Sequence, residues 1–306
     1  MYYFIVNPSS RSGQGRRVWQ QVEAELERLS MEYRVFFTSG QFHATNLSRE
    51  ITHMPGRHTL VAVGGDGTIN EVINGIQDFD RITFAYIPTG SSNDFARSLG
   101  LPSDPMQALH NILHPTYYTR IDLGQMEYGN HTRLFAVSCG MGFDAAVCEE
   151  AFRSRIKHLL NRLGLGKLTY VGIALHQMIL LRAHPIYMTV DSSLKKAFPR
   201  TFFISVLNCP YEGGGLKLCP KASPSDRQLD YCVVERMSKL FLSLMLPTAY
   251  FGKHTRFRGI HIDRGTVIHL KSPIPLPVHA DGEVCQCQTS LSIRCIPEKL
   301  KIISGR

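Results

Sequence analysis

The sequence predicts an α/β domain followed by a β-rich domain, and three observations carry that expectation. Apolar runs of strand length alternate with helical periodicity from residue 1 to about residue 125, the signature of a parallel sheet flanked by helices. Beyond it, short β-like runs are parted by Gly, Pro, Asp and Asn, as in a sandwich or barrel. Glycine-rich turns stand where strands of the first half end, which is where open α/β sheets bind ligands.

Tyr2–Val6 reads as the first strand. Gly15–Leu29 follows as a helix with Val18, Val22, Leu26 and Leu29 on one stripe. Tyr33–Phe37 is the second strand and Ala44–Ile51 a helix; Thr59–Val63 is the third strand, leading through a glycine turn into a helix to Ile76. Ile82–Ile87 is the fourth strand, ending at Pro88, with a helix from about Ser92 to Leu99. In the second half the strand candidates are Leu134–Ser138, Ile186–Val190, Phe202–Leu207, Leu229–Val234, Ile260–Ile262, Val267–Leu270 and Leu291–Cys295. Helical stretches are expected at 144–161, 168–183 and 239–250. These readings set a first domain at 1–125, completed by a C-terminal segment 290–306, and a second at 126–289.

Of the 306 residues, 43% are hydrophobic and 19% charged, enough for packed cores and too few charges for a disordered chain. The net charge of +9 favours anionic partners, yet no basic run or known motif indicates nucleic acid. No apolar stretch reaches the roughly 20 residues of a membrane span. The N-terminus reads as a strand and not a signal peptide. Eight scattered cysteines without paired C-x-x-C spacing read as reduced thiols of a cytoplasmic protein. A homo-oligomer is compatible with the sequence.

The densest signal is Val61-Ala62-Val63-Gly64-Gly65-Asp66-Gly67-Thr68-Ile69-Asn70-Glu71. Adjacent glycines let the backbone approach a ligand, and such a turn presents several N–H groups to phosphate oxygens. Asp66 beside phosphate makes sense with a divalent cation between them; alone, the segment is equally an ordinary strand-to-helix turn. Asn7-Pro8-Ser9-Ser10-Arg11-Ser12-Gly13 opens a helix after the first strand, either as an anion site or as a Ser/Gly turn with a cap. Pro88-Thr89-Gly90-Ser91-Ser92-Asn93-Asp94 repeats the theme and adds a second carboxylate. Asp122 and the Asp281-Gly282-Glu283 run add three more acids, the latter otherwise a hairpin turn.

Taken in order, these motifs resemble the diacylglycerol kinase catalytic-domain family, which includes bacterial lipid kinases, sphingosine kinases and ceramide kinases. The resemblance adds Arg120-Ile121-Asp122-Leu123-Gly124, the G-x-G-F-D-A run at 140–145, G-G-G-x-K-x-x-P-x-A at 213–222 and G-K-H at 252–254, and spans essentially the whole chain. It implies a Rossmann-like N-terminal domain similar to those of NAD kinase and 6-phosphofructokinase, a C-terminal β-sandwich, and an active site in the cleft between them. It also implies an ATP-dependent, Mg2+-requiring kinase acting on a primary hydroxyl of a lipid, such as diacylglycerol, peripherally at a membrane surface. The alternatives are an NAD kinase-like phosphotransferase and a catalytically silent lipid-binding or regulatory relative.

Carried over residue by residue, Asn7, Pro8, Ser9, Ser10, Gly13 and Thr38 would border the nucleotide. Gly64, Gly65, Asp66, Gly67, Thr68, Ile69, Asn70 and Glu71 would hold phosphates, with Ser91 and Asn93, Ser91 standing where the family usually has Thr. Asp66, Asp94 and Asp122 match a network for catalytic Mg2+. Asp281 and Glu283 match the pair that contains the base, Glu283 being favoured as proton acceptor and Asp281 as its partner. Ser223, Asp226 and Gln228 match a structural Mg2+ loop, except that Arg227 replaces its glycine. Apolar residues around 152–183 and 239–251 are candidates for an acyl-chain cleft.

Overall fold

The computed structural model describes residues 1–153, 182–192 and 194–304. The expected helix at 168–183 lies almost entirely outside these residues. The chain divides into two compact units, Met1–Ile121 with Glu298–Arg306, and Asp122–Pro297. The first expected boundary, at 125, falls inside a strand: β5 (Tyr117–Tyr128) runs through it, and from Asp122 onward its residues bond to the second unit's own loops.

Unit 1 is a parallel sheet in the order β2-β1-β3-β4, extended at β4 by the end of the last strand. Its strands are β1 (Tyr2–Val6), β2 (Tyr33–Phe37), β3 (His58–Gly64) and β4 (Ile82–Pro88). Their sequences are apolar on both faces, as a doubly covered parallel sheet requires. Phe4, Val6, Val61, Val63, Ala85 and Ile87 pack on α1 (Ser10–Arg28) and α5 (Pro105–Leu113), around Trp19 and Leu109. Opposite them, α2 (His43–His53) packs on α3 (Asp66–Gly75), and Phe95 of the short α4 (Asp94–Ser98) meets the rings of Phe84 and Tyr86 edge-on. Ile303 of the last strand completes the core. Strand order reverses direction at β1, so the β1/β3 boundary is a topological switch point.

Unit 2 is antiparallel and sandwich-like. A sheet runs β11 (Ile260–Gly265), β10 (Leu229–Glu235), β9 (Leu194–Leu207), β7 (Ser138–Gly142), β12 (Val267–Ala280) and β13 (Glu283–Ser304), with β8 (His184–Val190) bridging β9 and β12 and β6 (His131–Phe135) pairing β5. One core lies around Met141, Ile204, Tyr231, Val278 and Ile293. The other lies beneath α6 (Phe143–Arg153) and α7 (Lys239–Ala249), around Phe203, Leu242 and Met245. All eight cysteines are free thiols, and burial pushes the Cys148 thiol up to about 11. No helix among the described residues is long and apolar enough to cross a membrane.

Asp230 in β10 shows how burial couples this unit to pH. Burial, with Asp226 and Asp263 nearby, raises its carboxyl from 3.8 to about 6, against the opposing pull of Arg264. The folded state therefore holds this proton more tightly than the unfolded chain. That stabilisation is complete below about pH 4 and lost as pH rises past 6. Asp230→Asn should accordingly raise the thermal midpoint by a few degrees at pH 8 and leave it unchanged at pH 4, as measured by calorimetry.

Candidate active site

Three loops meet at the carboxyl ends of β1, β3 and β4. Asn7 anchors the first: its N–H donates to the Val63 carbonyl (2.8 Å), and its Nδ2 donates to Thr68 Oγ1 (3.1 Å). Ser10 and Thr89 share a hydroxyl–hydroxyl bond of 2.7 Å, which ties the first loop to the third. The second and third loops touch at their glycines. A Cβ on Gly90 would lie 2.6 Å from the Gly65 Cα, so neither a larger residue nor a wider spacing fits that approach. In the first loop Arg11, Ser12 and Gly13 all hold left-handed φ, 43°, 56° and 94°. Successive residues of this kind turn their N–H groups toward a common anion-binding concavity, and backbone strain of this type gathers at functional sites.

The carboxylates of unit 1 divide the work. Asp66 accepts the N–H groups of Asp94 and Phe95, each at 3.1 Å, and so caps α4. Asp94 is buried, with its Oδ1 3.6 Å from Arg97 Nε. Tyr86 lies beneath both; its hydroxyl pKa is raised by burial first and then by the charges of Asp66 and Asp94. The Tyr86 hydroxyl donates to the Gly64 carbonyl and to Asn93 Oδ1, which also accepts the Gly90 N–H. Asn93 thus braces the third turn from the left-handed region, φ 51°. Two close carboxylates and no nitrogen or sulfur ligand make a donor set that suits a hard divalent cation such as Mg2+.

Other candidates from the sequence serve the fold. Both oxygens of Glu71 accept backbone N–H groups at the start of α2, from Phe42 and Ala44. Ile69 is a core residue, and Asn70 is buried beside Asn74, whose Nδ2 donates to it. Ser9 donates its N–H to Asn7 Oδ1, Thr38 follows β2 with its N–H on the Val6 carbonyl, and Ser91 is exposed.

Asp122 sits in unit 2, fully buried within β5. Its N–H donates to Pro224 O (2.6 Å) and its Oδ2 accepts the Arg227 N–H (2.7 Å). This closes the loop that sequence reasoning considered for a structural cation. There Asp226 Oδ1 accepts the Gln228 N–H, Arg264 stands 3.6 Å from Oδ2, and the Ser223 hydroxyl pairs with that of Ser225. The Arg264 guanidinium would compete with a cation for this oxygen of Asp226. Arg227 takes φ 64°, the left-handed conformation for which a glycine is the usual residue.

Asp281 and Gly282, with φ 49° and 81°, form the two-residue turn between β12 and β13, where Ala280 pairs with Glu283. The Asp281 carboxylate accepts three consecutive backbone N–H groups, from Ala136, Val137 and Ser138, at 2.8–3.0 Å. Glu283 opens β13, partly exposed.

Sequence reasoning did not select a buried trio beneath this turn. Asp144, Glu212 and His279 bring their polar atoms within 4.8 Å of one another. His279 Nε2 lies 3.2 Å from Asp144 Oδ2 and 3.1 Å from Glu212 Oε1, while its Nδ1 accepts the Gly282 N–H at 3.2 Å. A nitrogen that accepts an N–H carries no hydrogen, so the ring hydrogen is on Nε2, shared by the two carboxylates. That tautomer fits a hydrogen-bonded support for the turn better than a metal ligand. Gly140 is required beside it, since a Cβ there would fall 1.9 Å from Asp144 Oδ2. The G-x-G-F-D-A motif contained both Gly140 and Asp144; nothing in the sequence singled out Glu212.

Residues 1–126 match the model of the diacylglycerol kinase catalytic domain, and residues 137–304 that of the YegS C-terminal NAD kinase beta sandwich-like domain. The chain belongs to the diacylglycerol kinase catalytic-domain family. It is 30% identical to YtlR of Bacillus subtilis (strain 168), provisionally named a lipid kinase, with 98% of each chain covered. It is 26% identical to a diacylglycerol kinase of Mycobacterium tuberculosis over 99% of this chain and 94% of that one. A provisionally named diacylglycerol kinase from Bacillus anthracis shares its fold, with a TM-score of 0.74 at 22% identity over 99% and 96% of the two chains. The expected α/β and β-sandwich-like domains are those of this family.

His279→Asn would keep an acceptor for the Gly282 N–H and remove the hydrogen that Asp144 and Glu212 share. Two like charges would then face each other in a buried site, so stability should fall by about 3 kcal/mol. Urea unfolding of the native and substituted proteins checks this.

Proposed function

We propose that this chain is an ATP-dependent lipid kinase that transfers the γ-phosphate to a primary hydroxyl of a lipid such as diacylglycerol. The observation that carries this reading is the Gly65–Gly90 contact, which packs two phosphate-sized turns and the carboxylates of Asp66 and Asp94 beside the switch point of the unit 1 sheet. The names of the family and its relatives agree with that chemistry. It acts from the cytoplasm at a membrane surface.

Unit 1 binds the nucleotide. The N–H groups of residues 11–13, 65–68 and 91 receive its phosphates, and the helix start at α3 adds its positive dipole end. Asp66 and Asp94 would hold Mg2+, with Asp122 as the third member of the set that the family resemblance implies. When bound, the cation offsets negative charge on the transferring phosphoryl group.

Unit 2 supplies the base. Asp281 has both oxygens committed to backbone amides and positions the turn. Glu283, next but one, is the group that takes the proton of the lipid hydroxyl. A positioned carboxylate in this role is worth about 10²–10⁴-fold in rate.

The two acids should separate experimentally. Glu283→Gln should lower turnover by about 10²–10⁴-fold with an unchanged unfolding curve. Asp281→Asn should lose about 3 kcal/mol of stability, because its amide nitrogen would replace one of the two accepting oxygens and turn a donor toward a buried N–H. The assay is phosphate transfer from labelled ATP to a panel of detergent-dispersed lipid alcohols, with NAD as a control acceptor. Phosphorylation of NAD alone would overturn the lipid reading, and full activity in Glu283→Gln would overturn the base.

A further inference from the structure

Helix α7 breaks the rule that a surface helix turns polar residues outward. Leu242, Met245 and Ala249 face the core of unit 2, yet the opposite side carries Leu240 (72% exposed), Phe241 and Leu244 (68% exposed). The chain leaves this helix through Tyr250 and Phe251, the latter 76% exposed, before a left-handed turn at Gly252. Five large apolar side chains therefore face water within twelve positions. Isolated exposed hydrophobics are common; a contiguous set of this size marks a binding surface.

The charges around the set indicate what binds. From Arg236 to Ile262 the sequence holds five Lys and Arg residues and no Asp or Glu. Exposed Lys253 follows Phe251 by two positions. At the other end, Phe257 meets Phe241 edge-on, ring centres 5.5 Å apart, so that exposed Arg256 and Arg258 flank the start of the apolar strip. Apolar side chains between cations, with aromatic rings among them, match the boundary of an anionic bilayer, where rings sit at headgroup depth and cations meet lipid phosphates. A second copy of this chain would bring the same cations against each other.

We infer that α7 and the 250–258 segment form the surface by which this protein docks on anionic membranes. Leu240, Phe241, Leu244 and Phe251 enter the acyl boundary, while Lys253, Arg256 and Arg258 pair with headgroup phosphates. The inference deepens the lipid kinase reading and rests on it only for the purpose of docking. It assigns a surface for reaching a substrate that never leaves the bilayer.

Sedimentation of the full chain with sucrose-loaded vesicles, without diacylglycerol, tests it independently of catalysis. Vesicles of phosphatidylglycerol and phosphatidylcholine should bind the protein at least tenfold more tightly than phosphatidylcholine alone, with the difference collapsing at high salt. Leu244→Ser with Phe251→Ser should cut binding to the anionic vesicles at least tenfold, and Lys253→Glu with Arg256→Glu should do the same. Unfolding curves would confirm that both variants fold. Undiminished vesicle binding by both variants would overturn the inference. So would a native dimer, seen by sedimentation velocity, that the substitutions dissociate while vesicle binding persists. Vesicle binding of this pattern in a protein that phosphorylates no lipid would support the surface and count against the kinase reading alone.

Discussion

The turn that carries Glu283 depends on one buried carboxylate. Asp281 accepts three successive amide hydrogens from the stretch between β6 and β7, and its own N–H returns to the Ser138 carbonyl. A charged acceptor on three amides is among the stronger arrangements available to a backbone. It fixes the left-handed turn at its own position, and with the turn it fixes where β13 begins and how Glu283 leaves it. His279 completes the restraint from below, through Gly282 on one ring nitrogen and two acids on the other. A carboxylate held by a two-residue turn has little freedom to drift, which suits the role proposed for Glu283 in a reaction governed by positioning.

The first unit reaches a comparable rigidity by exclusion. Gly65 and Gly90 approach too closely for any side chain, and Asn7, Thr68, Ser10, Thr89, Tyr86 and Asn93 lace the same three loops together. These bonds run between the loops themselves, so the turns are held before any ligand arrives. Preorganisation of this sort is where electrostatic catalysis gains most.

Much of this was legible in the sequence, for physical reasons. Double glycines at the ends of apolar runs announce close backbone approach, and parallel strands announce where a ligand sits. Other features were not legible. Asp281 and Glu283 are equivalent as letters, and only the hairpin decides which one is buried against amides. Nothing in the sequence marked Asp122 as lying mid-strand in β5, where Phe135 lies so close to Gly124 that no side chain could fit there. The Asp144–Glu212–His279 trio joins positions far apart in sequence, and such a juxtaposition has no local signature. The bonds from Glu71 to the start of α2, which tie two helices together, likewise had no local signature.

The last strand has a consequence for how the protein is made. β4 is bordered on one side by residues from the C-terminal end of the chain, Ile302 opposite Phe84, and Ile303 fills the core beneath it. On the ribosome, the N-terminal 121 residues emerge long before those partners exist. Until those residues are made, β4 is an open edge, a surface on which strands of other chains can pair. Quality control should therefore matter for as long as that edge stands bare, and a chain clipped before Ile302 should be recognised as damaged although the loops at the ends of β1, β3 and β4 are intact.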